Sequence, residues 1–112
     1  MQFMTNYQTG DLVLIDFPFT GGSGYKTRPA MVIADTGDAD IVVAKLSTQP
    51  PMSPYDVPLT SWVSAGLNAP SSVRTHKLVT LEKALVHRLL GHIDAADRPH
   101  VAAMVRSLFG SW

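Results

Sequence analysis

The chain contains no cysteine. That removes a disulfide framework, a cysteine-ligated zinc and a thiol nucleophile from consideration, and it fits a reducing compartment. Glutamate is almost as scarce. Glu82 is the only one, so paired carboxylates of the glycosidase kind would have to come from aspartates, most of which sit in turn-like sequence. Net charge is also missing: nine Lys and Arg offset nine Asp and Glu, which leaves no uniform basic field to hold nucleic acid. Any nucleic-acid site must be local. Uninterrupted apolar stretches such as Ala30 to Ala34 run for about five residues, far short of the ~20 that span a bilayer. Met1 to Thr5 carries neither the basic segment nor the apolar stretch of a secretory signal. The chain is expected to be soluble and cytoplasmic, with no membrane partner.

What is present suffices for a core. With 112 residues, 46% of them hydrophobic and 16% charged, one compact domain over residues 1–112 is expected. The charge is uneven along it. Residues 1–73 hold Lys26, Arg28 and Lys45 against six aspartates, whereas residues 74–112 hold six basic residues against Glu82, Asp94 and Asp97, together with all four histidines.

Short β-branched runs separated by turn residues predict strands. The first is Leu12 to Ile15, bounded by Asp16 and Pro18; the second is Ala30 to Ala34, apolar enough to be buried on both faces; the third is Ile41 to Leu46, which delivers Ser47 and Thr48 at its end. Between the first two lies Thr20 to Thr27, with three glycines, read as a long mobile hairpin loop. Asp35 to Asp38 is a tight turn, so the three strands form a meander. Four prolines between Gln49 and Pro58 predict an irregular or edge segment. Trp62 to Asn68 reads as a loop or a turn of helix, Val73 to Val79 as a strand with a basic outer face, and Thr80 to Lys83 as a turn or helix start. Val86 to Ile93 is either helix or strand, and Gly91 favours strand. Val101, Met104, Val105, Leu108 and Phe109 recur at helical spacing behind Asp97 and Pro99, predicting an amphipathic C-terminal helix closed by Gly110.

Several chemistries fail on their own motifs. The glycine-rich loop ends in Lys26-Thr27, but a phosphate-binding P-loop needs glycine before the lysine, where Tyr25 stands, and Pro29 opens a strand rather than a helix. That loop is either a plain hairpin tip or a lid over an anionic ligand. No histidine pair has the spacing of a helical zinc motif, so neither metal nor cofactor is expected. No Gly-x-Ser-x-Gly elbow exists for a serine hydrolase.

One constellation remains. If the second and third strands are antiparallel neighbours, Arg28 at the start of one lies beside Ser47 and Thr48 at the end of the other. A guanidinium binds phosphate through two parallel donors and stabilises the added negative charge of a five-coordinate phosphorus, while a hydroxyl donates to another oxygen. The same residues also read as an exposed arginine and two strand-end hydroxyls, which are common on surfaces.

The runs Gly10 to Phe19, Lys26 to Ile33 and Leu46 to Gln49, with Ser72 to Lys83 and Leu90 to Ile93 in the second half, resemble the MazF/PemK family of toxin endoribonucleases. The resemblance covers about residues 10–110. It implies a small SH3-like β-barrel of the MazF/PemK/CcdB kind with a C-terminal helix, a homodimer, and a cognate antitoxin whose tail covers an RNA groove. It further implies metal-independent, sequence-specific cleavage of single-stranded RNA, typically mRNA, by 2′-OH attack. Arg28 matches the family's catalytic arginine, and Ser47 stands where threonine is usual, with Thr48 beside it. Serine keeps the hydroxyl but lacks the methyl that fixes its rotamer, so either hydroxyl is a candidate for the phosphate. Val79 replaces a family arginine, leaving Arg74, His76 and Lys77 to supply RNA-binding charge, with His76 also a candidate acid or base. Tyr25, Lys26 and Thr27 are the loop's candidates for stacking on a base and holding a phosphate. A non-enzymatic gyrase poison and an inactive antitoxin- or RNA-binding homologue are the rival readings.

Overall fold

The computed structural model describes residues 6–18, 21–110 and 112; the expectations for Met1 to Thr5, and for Phe19 and Thr20 at the head of the glycine-rich loop, lie outside them. Along the chain run β1 (Asp11–Pro18), β2 (Tyr25–Ala34), β3 (Asp40–Ser47), β4 (Asp56–Pro58), β5 (Ser72–Glu82), β6 (Val86–His92) and the helix α1 (Arg98–Leu108). The strands make one antiparallel sheet in the order β4-β5-β3-β2-β1-β6. The expected β1-β2-β3 meander is its centre.

Alternation along these strands builds a core on each face. Leu12, Met31, Ala44 and Val73 point one way, against Leu59, Ala65, Leu67, Ile93 and Val101 from the covering turns and α1. Val13, Ile15, Ala30, Val32, Ile41 and Val43 point the other way, where Val79, Leu81, Leu85 and Val86 close over them. The continuous apolar run in β2 is therefore double-sided burial, as its composition implied.

Four details differ from the sequence reading. The sheet curls but is open rather than a closed barrel: β4 has only three residues after a proline-rich approach whose missing N–H groups cannot extend a ladder, and β6 pairs with β1 alone. Tyr25 to Thr27 are not a mobile loop. They open β2 and pair with Pro18, Phe17 and Asp16. β5 runs through Thr80 to Glu82, leaving only Lys83–Leu85 as a 3-10 turn. And Asp97, though it sits before α1, does not cap it: its carboxylate instead accepts from Thr60 N (2.9 Å), Thr60 Oγ1 (2.7 Å) and Ser61 N (2.9 Å), tying the helix start to the covering turn.

Gly91, next to last in β6, is explained by closeness. A Cβ there would run into the Ala65 carbonyl, and one on Gly66, which has φ +92°, into the Leu90 carbonyl, so the turn and the strand touch backbone to backbone. Gly91→Ala is expected to cost roughly 1–3 kcal/mol through this overpacking. A thermal melt reads it, and an unchanged midpoint would show that the turn yields freely.

Candidate functional site

β2 and β3 pair as far as Ala30 opposite Lys45, and beyond that point their ends open. The ladder stops two residues short of an Arg28–Ser47 pair, so the expected neighbourhood of the two rests on strand direction and shared face alone. Side chains two apart share a face, so Lys26 and Arg28 from β2 join Lys45 and Ser47 from β3 on one side of the sheet. Phe17, opposite Lys26 on β1, floors the group. A groove of about 350 Å³ results, lined by Phe17, Pro18, Lys26, Arg28, Pro29, Lys45 and Leu46. Lys45 Nζ stands 5.5 Å from the centroid of the Phe17 ring, within cation–π range.

No carboxylate among the described residues pairs with Lys26, Arg28 or Lys45. Among the described residues Arg28 Nη1 donates only to the Thr27 carbonyl, at 3.1 Å, and its side chain is exposed. Three cations of a neutral chain thus share one groove without an internal counter-charge. Their mutual repulsion is relieved by an anion, and a phosphodiester suits the guanidinium's fork.

The other candidates divide. Ser47 Oγ accepts from Gln49 N at 3.1 Å, which holds the hydroxyl at the strand end. Thr48 lines a neighbouring groove instead, on the far side of Pro29. Tyr25, 59% exposed, lines a third groove beside Phe17 and Pro18. Thr27 faces away from Arg28 and donates to Asp16 Oδ1 at 2.8 Å.

Arg74 shares the face of Lys45, one strand over, but is engaged: its Nε donates to Asp56 Oδ1 at 3.0 Å. Burial works to raise the Asp56 carboxyl, yet the Met52 N–H and the Arg74 guanidinium outweigh it and hold the group below its ordinary 3.8. His76 and Lys77 lie in an irregularity where β5 jumps from Arg74, opposite Lys45, to Leu78, opposite Ala44. This bulge is pinned to the β4 approach, because Thr75 gives both its N–H (3.0 Å) and its hydroxyl (2.7 Å) to the Tyr55 carbonyl. His76 packs on the Tyr55 ring at 5.5 Å between centroids, and its buried Nδ1 has no partner among the described residues. Neither His76 nor Lys77 lines the Arg28 groove.

Lys45 and Phe17 are the lining residues that residue-type reasoning passed over as site members. The signal was available in the strand period, since Lys45 is two residues before Ser47.

A family model described as PemK-like, MazF-like toxin of type II toxin-antitoxin system matches residues 8–109. The chain belongs to that toxin family. Among curated proteins, none matches the sequence. Solved structures agree in fold. An endoribonuclease from a mycobacterial species superposes with TM-score 0.76 at 20% identity, covering 99% of each chain. An endoribonuclease in complex with its cognate antitoxin, also mycobacterial, gives TM-score 0.73 at 20% identity over 92% of this chain and 94% of that one. MazE-MazF from Deinococcus radiodurans gives 0.75 at 17% identity over 97% and 100%. These structures share this sheet and helix at low identity. Among the described residues no helix is long and apolar enough to cross a membrane.

Proposed function

We propose that residues 1–112 form one toxin domain that cleaves single-stranded RNA, typically mRNA, at short specific sequences and without a metal ion. The observation that carries this reading is the groove at the open ends of β2 and β3, where Lys26, Arg28 and Lys45 stand free of carboxylates. In the reaction the ribose 2′-oxygen attacks the adjacent phosphorus while the P–O5′ bond breaks. The 2′ proton leaves to water and a proton is delivered to the departing 5′-oxygen, giving a 2′,3′-cyclic phosphate and a 5′-OH. Arg28 stabilises the dianionic phosphorane, the charge that exists only at the transition state. Lys26 and Lys45 hold the flanking negative charge, and Ser47 Oγ orients a non-bridging oxygen. Among the described residues neither a histidine nor a carboxylate lines the groove, so solvent water carries the protons. Tyr25 offers an exposed ring on which an unpaired base stacks.

The toxin is paired in the cytoplasm with an antitoxin protein and acts as a homodimer. Support comes from family membership and from the antitoxin-bound structure of the same fold.

The test is incubation of purified protein with a long single-stranded RNA in excess EDTA, with fragment ends mapped. Fragments ending in cyclic phosphate at shared short sequences are expected. Intact RNA with folded, antitoxin-free protein would return the gyrase-poison and inactive-binder readings to the front.

A further inference from the structure

Resting on that reading, a second groove supplies what the first lacks, which is a means of telling one base from another. It measures about 390 Å³ and is lined by Leu14, Pro29, Thr48, Leu67, Asn68 and Arg88, among others. It lies on the opposite face of the sheet from Arg28, since Pro29, Leu14 and Arg88 stand in one row across β2, β1 and β6. Two strand spacings separate Pro29 from Arg88, about 10 Å between backbones. Pro29 belongs to both grooves, and Thr48 follows Ser47 directly. A strand whose phosphate sits at Arg28 therefore passes over the Pro29 ridge into this second space.

Its chemistry fits a nucleotide. The walls are apolar, from Leu14, Leu67, Leu90 and Pro29, while Thr48, Asn68 and Ser71 bring a hydroxyl, an amide and a second hydroxyl to the same space. An amide offers a donor and an acceptor side by side, the pattern that pairs with one edge of a base. Arg88 is an exposed cation with no carboxylate partner among the described residues, placed to meet the next phosphate. Ser71 is not free to read a base, because its hydroxyl donates to the Ala69 carbonyl at 2.9 Å.

We propose that the Thr48–Asn68–Arg88 groove is the specificity subsite, holding the nucleotide next to the cleaved bond, with Asn68 reading its base and Arg88 binding its phosphate.

The experiment compares wild type, Arg88→Ala, Arg88→Lys and Asn68→Ala on a randomised single-stranded RNA pool and on one cleaved oligonucleotide, with binding of a labelled single-stranded RNA followed in parallel. Arg88→Ala should raise KM about tenfold with kcat unchanged and reduce the slope of log affinity against log salt by about 0.7; Arg88→Lys should restore the slope. Asn68→Ala should flatten base preference at one position by lowering cleavage of the preferred sequence relative to the others. Wild-type KM, salt slope and fragment ends in both alanine variants would overturn the proposal. If wild type leaves all RNA intact, it is the cleavage reading that fails. The binding arm then decides the groove separately: weaker RNA binding by Arg88→Ala supports it, and equal binding overturns it.

Discussion

Arg28→Ala is expected to lower kcat for RNA cleavage by about 10²–10³-fold, the usual loss when one donor to a developing negative charge is removed. KM should change little by comparison. Lys26 and Lys45 remain in the groove and still attract the ground-state phosphodiester, whereas only the guanidinium's paired donors match the extra charge of the phosphorane. Arg28→Lys keeps the charge and loses the fork, so it should recover a minor part of the rate. The fold should be indifferent. Arg28 is exposed and gives up one bond, to the Thr27 carbonyl, so the melting midpoint of Arg28→Ala should match that of wild type. Single-turnover cleavage at saturating enzyme reads the effect directly, and a variant cutting at the wild-type rate would remove Arg28 from the chemistry.

Asp97→Ala should produce the largest loss of stability. The side chain is buried, and its removal leaves Thr60 N, Thr60 Oγ1 and Ser61 N without their acceptor. Orphaning three partly buried donors of this kind costs about 2–3 kcal/mol, or roughly 10 °C in the midpoint of a domain this size. Acid dependence follows from the same contacts. Burial works to raise the Asp97 carboxyl, but the N–H groups of Ser61 and Thr60 and the Thr60 hydroxyl outweigh it, so the group lies below its ordinary 3.8. Asp35 is held low in the same direction by the Tyr7 N–H and by Lys83, whose Nζ is 2.9 Å away. The unfolded chain then takes up protons before the folded one does. The stability these groups contribute is fully present above 3.8 and is lost as pH falls through their depressed folded values. Asp97→Asn should therefore flatten the acid limb of a stability–pH curve, and an unchanged limb would assign acid sensitivity to other carboxylates.

Strand period and turn chemistry made the meander legible, and with it the face that Arg28, Lys45 and Ser47 share, because both depend on local alternation and a short connection. Features set by distant partners were not legible. The bulge at Thr75 to Lys77 exists because the Tyr55 carbonyl waits beside β5, and nothing in Val73 to Val79 announces that. Asp97 carries the composition of a cap, yet its acceptor is taken by residues more than thirty positions away. Tyr25 to Thr27 lack apolar alternation, and only their pairing with Asp16 to Pro18 makes them strand. The same holds for the basic residues of β5. Arg74 reads as a free cation until Asp56 is seen beside it.

Because β1, β2 and β3 are the common wall of both cores, neither core can melt while the other stands. Neighbouring residues such as Leu12 and Val13 belong to different cores but to one cooperative unit. Such a molecule has no soft half to surrender, and the groove at the ends of β2 and β3 is carried by the strands that both cores share. Partial unfolding is then a poor way to silence it. Whatever restrains this protein in the cell has to work from outside, as a cover laid over a surface that is always ready.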